Sequence, residues 1–135
     1  MATFPLDLVT PERLLFSESV QAVRAPGTDG SFGVMAGHAP LLTELTTGLI
    51  KVTLVSGDDA YIATSGGFMQ VSREKVIILA DSAELSEEID VERAKATAAR
   101  ARQLLEVPGS DIDAEAVRAE LERALNRIHI AQMRS

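Results

Sequence analysis

The chain holds 135 residues, 46% apolar and 24% charged, the balance of one compact domain or a small domain with an appendage. It has no cysteine, which excludes a disulfide framework, a thiolate zinc site and a cysteine nucleophile together. Thirteen Lys+Arg stand against 20 Asp+Glu for a net charge of −7, which argues against non-specific nucleic-acid binding and against docking on anionic lipid.

In chain order, the first segment, Met1-Ala2-Thr3-Phe4-Pro5-Leu6-Asp7, places no basic stretch before an apolar core and reads as neither a signal nor a transit peptide. Short apolar runs follow: Phe4 to Val9, Leu14-Leu15-Phe16, Val20 to Ala25, Gly48 to Val55, Ala60 to Thr64, Gly67 to Val71 and Lys75 to Ala80. Turn residues separate them at Thr10-Pro11, Gly27-Thr28-Asp29-Gly30, Ser56-Gly57-Asp58, Ser65-Gly66-Gly67 and Ser72-Arg73-Glu74. Many short strands at this spacing predict a sandwich or barrel. The longest apolar run is of the order of Val76 to Ala80, far below the ~18 residues of a membrane-spanning helix. The expectation is a cytoplasmic protein without direct membrane insertion.

Composition changes near residue 85. All five aromatics and eight of nine glycines precede it, while ten alanines, eight basic and ten acidic residues follow. Aromatic and β-branched residues suit pleated surfaces, and alanine with Glu and Arg suits helices. The predicted organisation is α+β by segments: an all-β sandwich over 1–85, then an antiparallel helix-turn-helix over 86–135. Asp90 is placed to cap the first helix, whose apolar positions are Val91, Ala94, Ala98, Ala101 and Leu105, with Pro108-Gly109 ending it. Asp113 is placed to cap the second, whose stripe is Val117, Leu121, Ala124, Ile128 and Ala131. An alanine-rich seam buries little area, so this hairpin is expected to be marginal on its own and able to open or re-dock.

The search for chemistry finds no catalytic set and no metal-ligand spacing. His38 and His129 lie in different halves, without a serine, acid or second histidine at useful spacing. Gly27 to Gly33 lacks the Gly-Lys-Thr/Ser of a phosphate loop and reads as a turn between strands. The one arrangement with chemical content is in the hairpin. Arg93 and Arg100 share one face of the first helix, and Arg123 and Arg127 share one face of the second. Antiparallel packing would converge four guanidiniums, the group suited to phosphate oxygens. From spacing alone, a solvated face paired with Glu92, Glu120 and Glu122 is the favoured explanation.

Three segments carry a resemblance: Gly33 to Gly37, then Gly37-His38-Ala39-Pro40-Leu41-Leu42, then Ser65-Gly66-Gly67-Phe68, all ahead of the helical hairpin. In this order the chain resembles the epsilon subunit of bacterial F-type ATP synthase, from about Leu6 to Met133. The resemblance implies a sandwich of about ten strands. It implies a non-catalytic subunit of the central stalk that couples proton flow to ATP synthesis and inhibits ATP hydrolysis through its C-terminal helices. The implied partners are the gamma subunit, the c-subunit ring and, when the hairpin extends, the alpha and beta catalytic subunits. The implied location is the cytoplasmic face of the bacterial inner membrane, peripheral through the complex.

The same resemblance implies that the hairpin binds ATP as a regulatory ligand, no cofactor being required. Some members do so through an Ile/Leu-Asp-x-x-Arg-Ala motif, present here as Ile89-Asp90-Val91-Glu92-Arg93-Ala94. By analogy Glu84, Asp90 and Ala94 face the adenosine part, and Arg93, Arg100, Arg123 and Arg127 face the phosphates. The run Thr97-Ala98-Ala99 departs from the strong binders, which carry more charge there. The loop of His38 and the turn around Ser31 are expected at the sandwich end facing the c ring, although relatives often carry an acid where Ser31 stands. Two other readings compete: a stand-alone nucleotide-sensing module, and a small hydrolase, which the missing catalytic set opposes.

Overall fold

The computed structural model describes residues 2–107 and 112–133. Seven strands come first: β1 (Phe4–Val9), β2 (Leu14–Gly27), β3 (Gly30–Met35), β4 (Leu41–Leu54), β5 (Asp59–Val71), β6 (Val76–Ala80) and β7 (Ala83–Leu85). A 3-10 turn, Ser86–Glu88, leads into α1 (Val91–Glu106) and α2 (Ala114–Ala131). The sheet order is β1-β6-β5-β4-β2-β3, with β7 beside β5. Since β1 also pairs with β2, the strands β1-β6-β5-β4-β2 close on themselves and leave β3 outside the ring.

Seven strands stand where about ten were expected, because three of them are long. β2 and β4 each run 14 residues and β5 runs 13, and counting each as two restores the number. The expected break at Ser65-Gly66-Gly67 is a bend within β5, not its end. Gly66 and Gly67 take φ of 122° and 133°, and a Cβ on Gly67 would collide with the Leu79 carbonyl of β6. β3 was not expected as a strand. Its residues, Gly-Ser-Phe-Gly-Val-Met, have weak strand propensity, and it is held by full pairing to β2 from Ala22↔Met35 to Gly27↔Gly30.

Alternation along the strands sends Leu6, Leu8, Val20, Val23, Ile50, Val52, Ile62, Met69, Val76 and Ile78 into one core, all fully or almost fully buried. The hairpin forms as its pattern predicts. Asp90 Oδ1 accepts from Arg93 N at 3.1 Å, and Asp113 Oδ1 accepts from the amides of Glu115 and Ala116 at 3.2 Å each. Pro108-Gly109 lies outside the described residues. The buried alanines of the hairpin are Ala94, Ala98 and Ala101 on α1 and Ala124 and Ala131 on α2.

The seam accounts for only one face of α2. A second face rests on β4 and β5, while α1 stacks on α2. Ile130, fully buried, packs with Ala63, Ile89 and Ala131, and Leu49, Tyr61, Val91 and Met133 border them. Asn126 Nδ2 donates to the Gly48 carbonyl at 3.0 Å. Ile128, expected as a seam residue, is only half-buried. The boundary is also crossed at the hinge. Arg13, in the β1–β2 turn, donates from Nη1 and Nη2 to the two carboxylate oxygens of Glu88 at 3.0 and 2.8 Å.

Candidate functional site

The antiparallel hairpin and the last strand enclose an open cleft of about 710 Å³. α1 supplies Arg93, Ala94, Ala96, Thr97 and Arg100, and α2 supplies Glu120, Arg123 and Arg127. Glu84 of β7 and the cap residue Asp90 close the hinge end. Helical spacing makes this possible: 93, 97 and 100 are one stripe of α1, and 120, 123 and 127 one stripe of α2. With 1.5 Å of rise per residue, Arg93 and Arg100 are separated by roughly 10 Å along the axis. The cleft is therefore elongated, with Glu84, Asp90, Arg93 and Arg127 towards the hinge and Arg100 and Glu120 towards the far end.

Of the eight expected nucleotide-site residues, seven line this cleft: Glu84, Asp90, Arg93, Ala94, Arg100, Arg123 and Arg127. Ile89 does not. It is 4% exposed and belongs to the apolar cluster beneath, where it fixes the base of α1 against Ile130. Three lining residues were not expected as parts of a site: Ala96, Thr97 and Glu120. Thr97 and Ala96 follow from the stripe once Arg93 and Arg100 are placed. Glu120 was read only as a solvated partner.

The cleft's charges are partly paired. Arg127 Nε donates to Glu84 Oε1 at 2.5 Å, joining α2 to β7. Arg100 Nη2 donates to Glu120 Oε1 at 3.3 Å, joining α1 to α2. Among the described residues, Arg93 and Arg123 have no carboxylate partner. Glu92 and Glu122, the other expected partners of the arginines, are exposed and outside the cleft. Asp90 already spends one carboxylate oxygen on the helix cap, which orients its side chain at the cleft's base. Four guanidiniums in a solvent-open groove, two of them unpaired, are suited to a phosphate-bearing ligand. Small side chains at Ala94, Ala96 and Thr97 leave the floor clear for it.

The other two expected contact residues are not brought together. Ser31 is exposed at the β2–β3 turn, where Arg24 Nη1 donates to its hydroxyl at 3.5 Å. His38 lies past the opposite end of β3, where Nδ1 donates to the Met35 carbonyl and the ring meets Phe4 edge-on at 5.9 Å. Four residue steps of β3, about 13 Å, separate Ser31 from Met35, whose carbonyl His38 holds. His38 pins its own loop, and Ser31 is a hairpin-tip residue.

Two family descriptions match the chain: "ATP synthase, Delta/Epsilon chain, beta-sandwich domain" over residues 3–86, and "ATP synthase, Delta/Epsilon chain, long alpha-helix domain" over 87–132. An ATP synthase epsilon chain of Desulforamulus reducens is 46% identical over 127 residues, covering 94% of this chain and 96% of the relative. One of Staphylococcus aureus is 42% identical over 135 residues, covering 99% and 100%. Among solved structures, a chain of the Euglena gracilis mitochondrial ATP synthase, resolved with its F1 and c-ring, superposes with a TM-score of 0.83 at 26% identity, over 99% of this chain and 83% of that one. A chain of the Tetrahymena thermophila mitochondrial central stalk and c-ring shares the fold at a TM-score of 0.58 and 16% identity, over 96% and 94%. The order of a closed β domain and a docked helical hairpin, the two matching descriptions and the full-length relatives agree: this chain belongs to the ATP synthase delta/epsilon chain family.

Proposed function

We propose that this chain is the epsilon subunit of a bacterial F-type ATP synthase, non-catalytic itself, whose hairpin restrains ATP hydrolysis and senses ATP. The β domain binds the gamma subunit and faces the c ring. The hairpin extends along gamma towards the alpha and beta subunits in the restraining state. The subunit is held at the cytoplasmic face of the membrane through its complex, and no helix among the described residues is long and apolar enough to cross a membrane.

The observation that carries the sensing role is the convergence of Arg93, Arg100, Arg123 and Arg127 on one cleft of the folded, docked hairpin. An extended hairpin separates the two arginine pairs. A ligand that needs both pairs binds the compact state alone and stabilises it by RT ln(1 + [L]/Kd). Adenosine lies at the hinge end beside Asp90, Ala94 and Glu84, and the phosphates point towards Arg123 and Arg100. The alanine seam gives the compact state a modest intrinsic stability, so a modest ligand contribution shifts the balance.

The test is a titration of the isolated full-length chain with ATP, followed by calorimetry and amide NMR. Wild type should bind, with shifts along 90–100 and 120–127. Arg123→Ala/Arg127→Ala should weaken binding at least tenfold while the β-domain spectrum is retained. No heat and no shifts with millimolar ATP would return the arginines to a solvated face.

A further inference from the structure

The cleft contains a carboxylate at its end away from the hinge. Glu120 is on the same stripe as Arg123 and Arg127, lines the cleft, and accepts a hydrogen bond from Arg100. It lies at the end away from the hinge, one α1 turn beyond Thr97. Glu84, the other paired acid, is at the hinge end on Arg127. The arginines are thus not equivalent. Arg93 and Arg123 are unpaired among the described residues, Arg127 is engaged beside the adenosine end, and Arg100 is already occupied by an internal anion.

We propose that Glu120 sets the affinity and the phosphate-length preference of the cleft: its carboxylate holds Arg100 in place of a terminal phosphate. The inference rests on the nucleotide-binding reading above and goes one step beyond it. Two physical effects act in the same direction. A phosphate that meets Arg100 competes with Glu120 for the same guanidinium. A carboxylate that stays nearby repels the phosphate tail, and the repulsion grows as the tail lengthens towards it. The Arg100–Glu120 pair is exposed, with side-chain accessibilities of 70% and 40%, so displacing it is feasible. The pair therefore tunes the site to high ligand concentration without closing it.

The sign of the expected effect is unusual for a residue lining a binding cleft: its neutralisation should tighten binding. Glu120→Gln keeps the side chain's shape and removes the charge. At a separation of several ångströms near the surface, the relief amounts to roughly a three- to tenfold gain in ATP affinity. The gain should fall in the order ATP, ADP, AMP, and AMP should change less than twofold, because its single phosphate stays near the hinge end.

The experiment titrates wild type, Glu120→Gln and Glu122→Gln with ATP, ADP and AMP by calorimetry and amide NMR at one fixed salt concentration. Thermal melting of each ligand-free protein checks the fold. Glu122, on the same helix but outside the cleft, controls for net charge. The inference stands if Glu120→Gln tightens ATP three- to tenfold, tightens ADP less, leaves AMP within twofold, and Glu122→Gln changes none by more than twofold. It is overturned, with the nucleotide reading intact, if wild type binds ATP and Glu120→Gln binds it equally or more weakly. It is also overturned if the gain is the same for all three nucleotides, which would mark a structural effect, or if Glu122→Gln gives the same gain. If neither wild type nor Glu120→Gln responds to millimolar ATP, the nucleotide reading falls and this inference falls with it.

Discussion

Ile130→Ala should release the hairpin from the β domain while leaving the β domain folded. Ile130 is the one large, fully buried side chain of α2, at 0% exposure. The side chains buried with it are small or already committed: Ala63 on β5, Ala131 beside it and Ile89 at the base of α1. Two alanines cannot grow into the space left behind, so the site collapses poorly, and truncation of a buried isoleucine costs about 3 kcal/mol. The rest of the docking face offers little to offset this. Asn126 Nδ2 donates to the Gly48 carbonyl at 3.0 Å and, at the long limit of 3.5 Å, to the Thr64 carbonyl, and the Arg127–Glu84 pair is about one-third exposed at each side chain. A loss of that size shifts the docked-to-undocked ratio by roughly 150-fold. Amide hydrogen exchange read by mass spectrometry resolves the outcome by segment. Segments covering 117–131 should lose protection by about that factor, while β1, β4 and β6 keep theirs. Unchanged exchange in α2 would refute the idea that Ile130 anchors it. Equal loss in α2 and the strands would show one cooperative unit, and the hairpin would not be a separable switch.

Acid should loosen the hinge through Glu88. Its hydrogen bonds from Arg13, with a further one from the Leu85 amide, hold its pKa below the ordinary 4.5, so its stabilising share is present above that value and is lost as pH falls through the depressed folded value. Asp7, held low first by Lys75 and then by Ser17, acts in the same direction inside the β domain. Melting curves at pH 5, 4 and 3 should show a shallower acid loss for Glu88→Gln than for wild type, and parallel curves would remove the clasp from the account. A chain cut before residue 88 should remain folded, with strand-type circular dichroism, and should assemble into the complex. Complexes carrying it should hydrolyse ATP faster than those carrying the full chain, and equal rates under every nucleotide condition would end the restraining role.

How much of this was legible in the sequence differs between the halves for a physical reason. The hairpin reads well because its signals are local: Asp90 and Asp113 cap the helices as their positions predict, and the alanine heptads become the buried seam. The strands read less well because their ends are set by pairing partners distant in sequence. Ser65-Gly66-Gly67 looks like a break, yet β5 runs through it, since Gly67 lets β6 approach closely and the ladder Phe68↔Leu79 continues on the far side. β3 contains two glycines and little β propensity, and only its hairpin with β2 makes it a strand.

The docking face of α2 was hidden by a better-known pattern. Ile128 fits the heptad, so Ile130 looked like an off-seam residue. A signal was nonetheless present: Asn126, Ile130 and Met133 recur at four and three, a second stripe beside the first. Two stripes on one helix mean two contacts, one to α1 and one to the sheet. The consequence concerns function as much as fold. Arg123 and Arg127 lie on the turns of α2 that also carry Asn126 and Ile130, and Arg127 itself pairs with Glu84 of β7. Closing the cleft around a phosphate chain and seating the helix on β4 and β5 therefore order the same residues. A ligand that holds Arg123 and Arg127 stabilises the docked helix, and an undocked helix has no complete cleft to offer. The two equilibria are linked through α2, and by reciprocity a variant that weakens docking must weaken nucleotide affinity by the factor through which it depopulates the compact state. Ile130→Ala, at a position that does not line the cleft, should therefore lower the apparent affinity for ATP once the docked fraction falls below one half, and saturating ATP should restore the exchange protection of 117–131. If the affinity stays at the wild-type value while docking is lost, closure of the cleft needs only the two helices, and the β domain has no part in sensing.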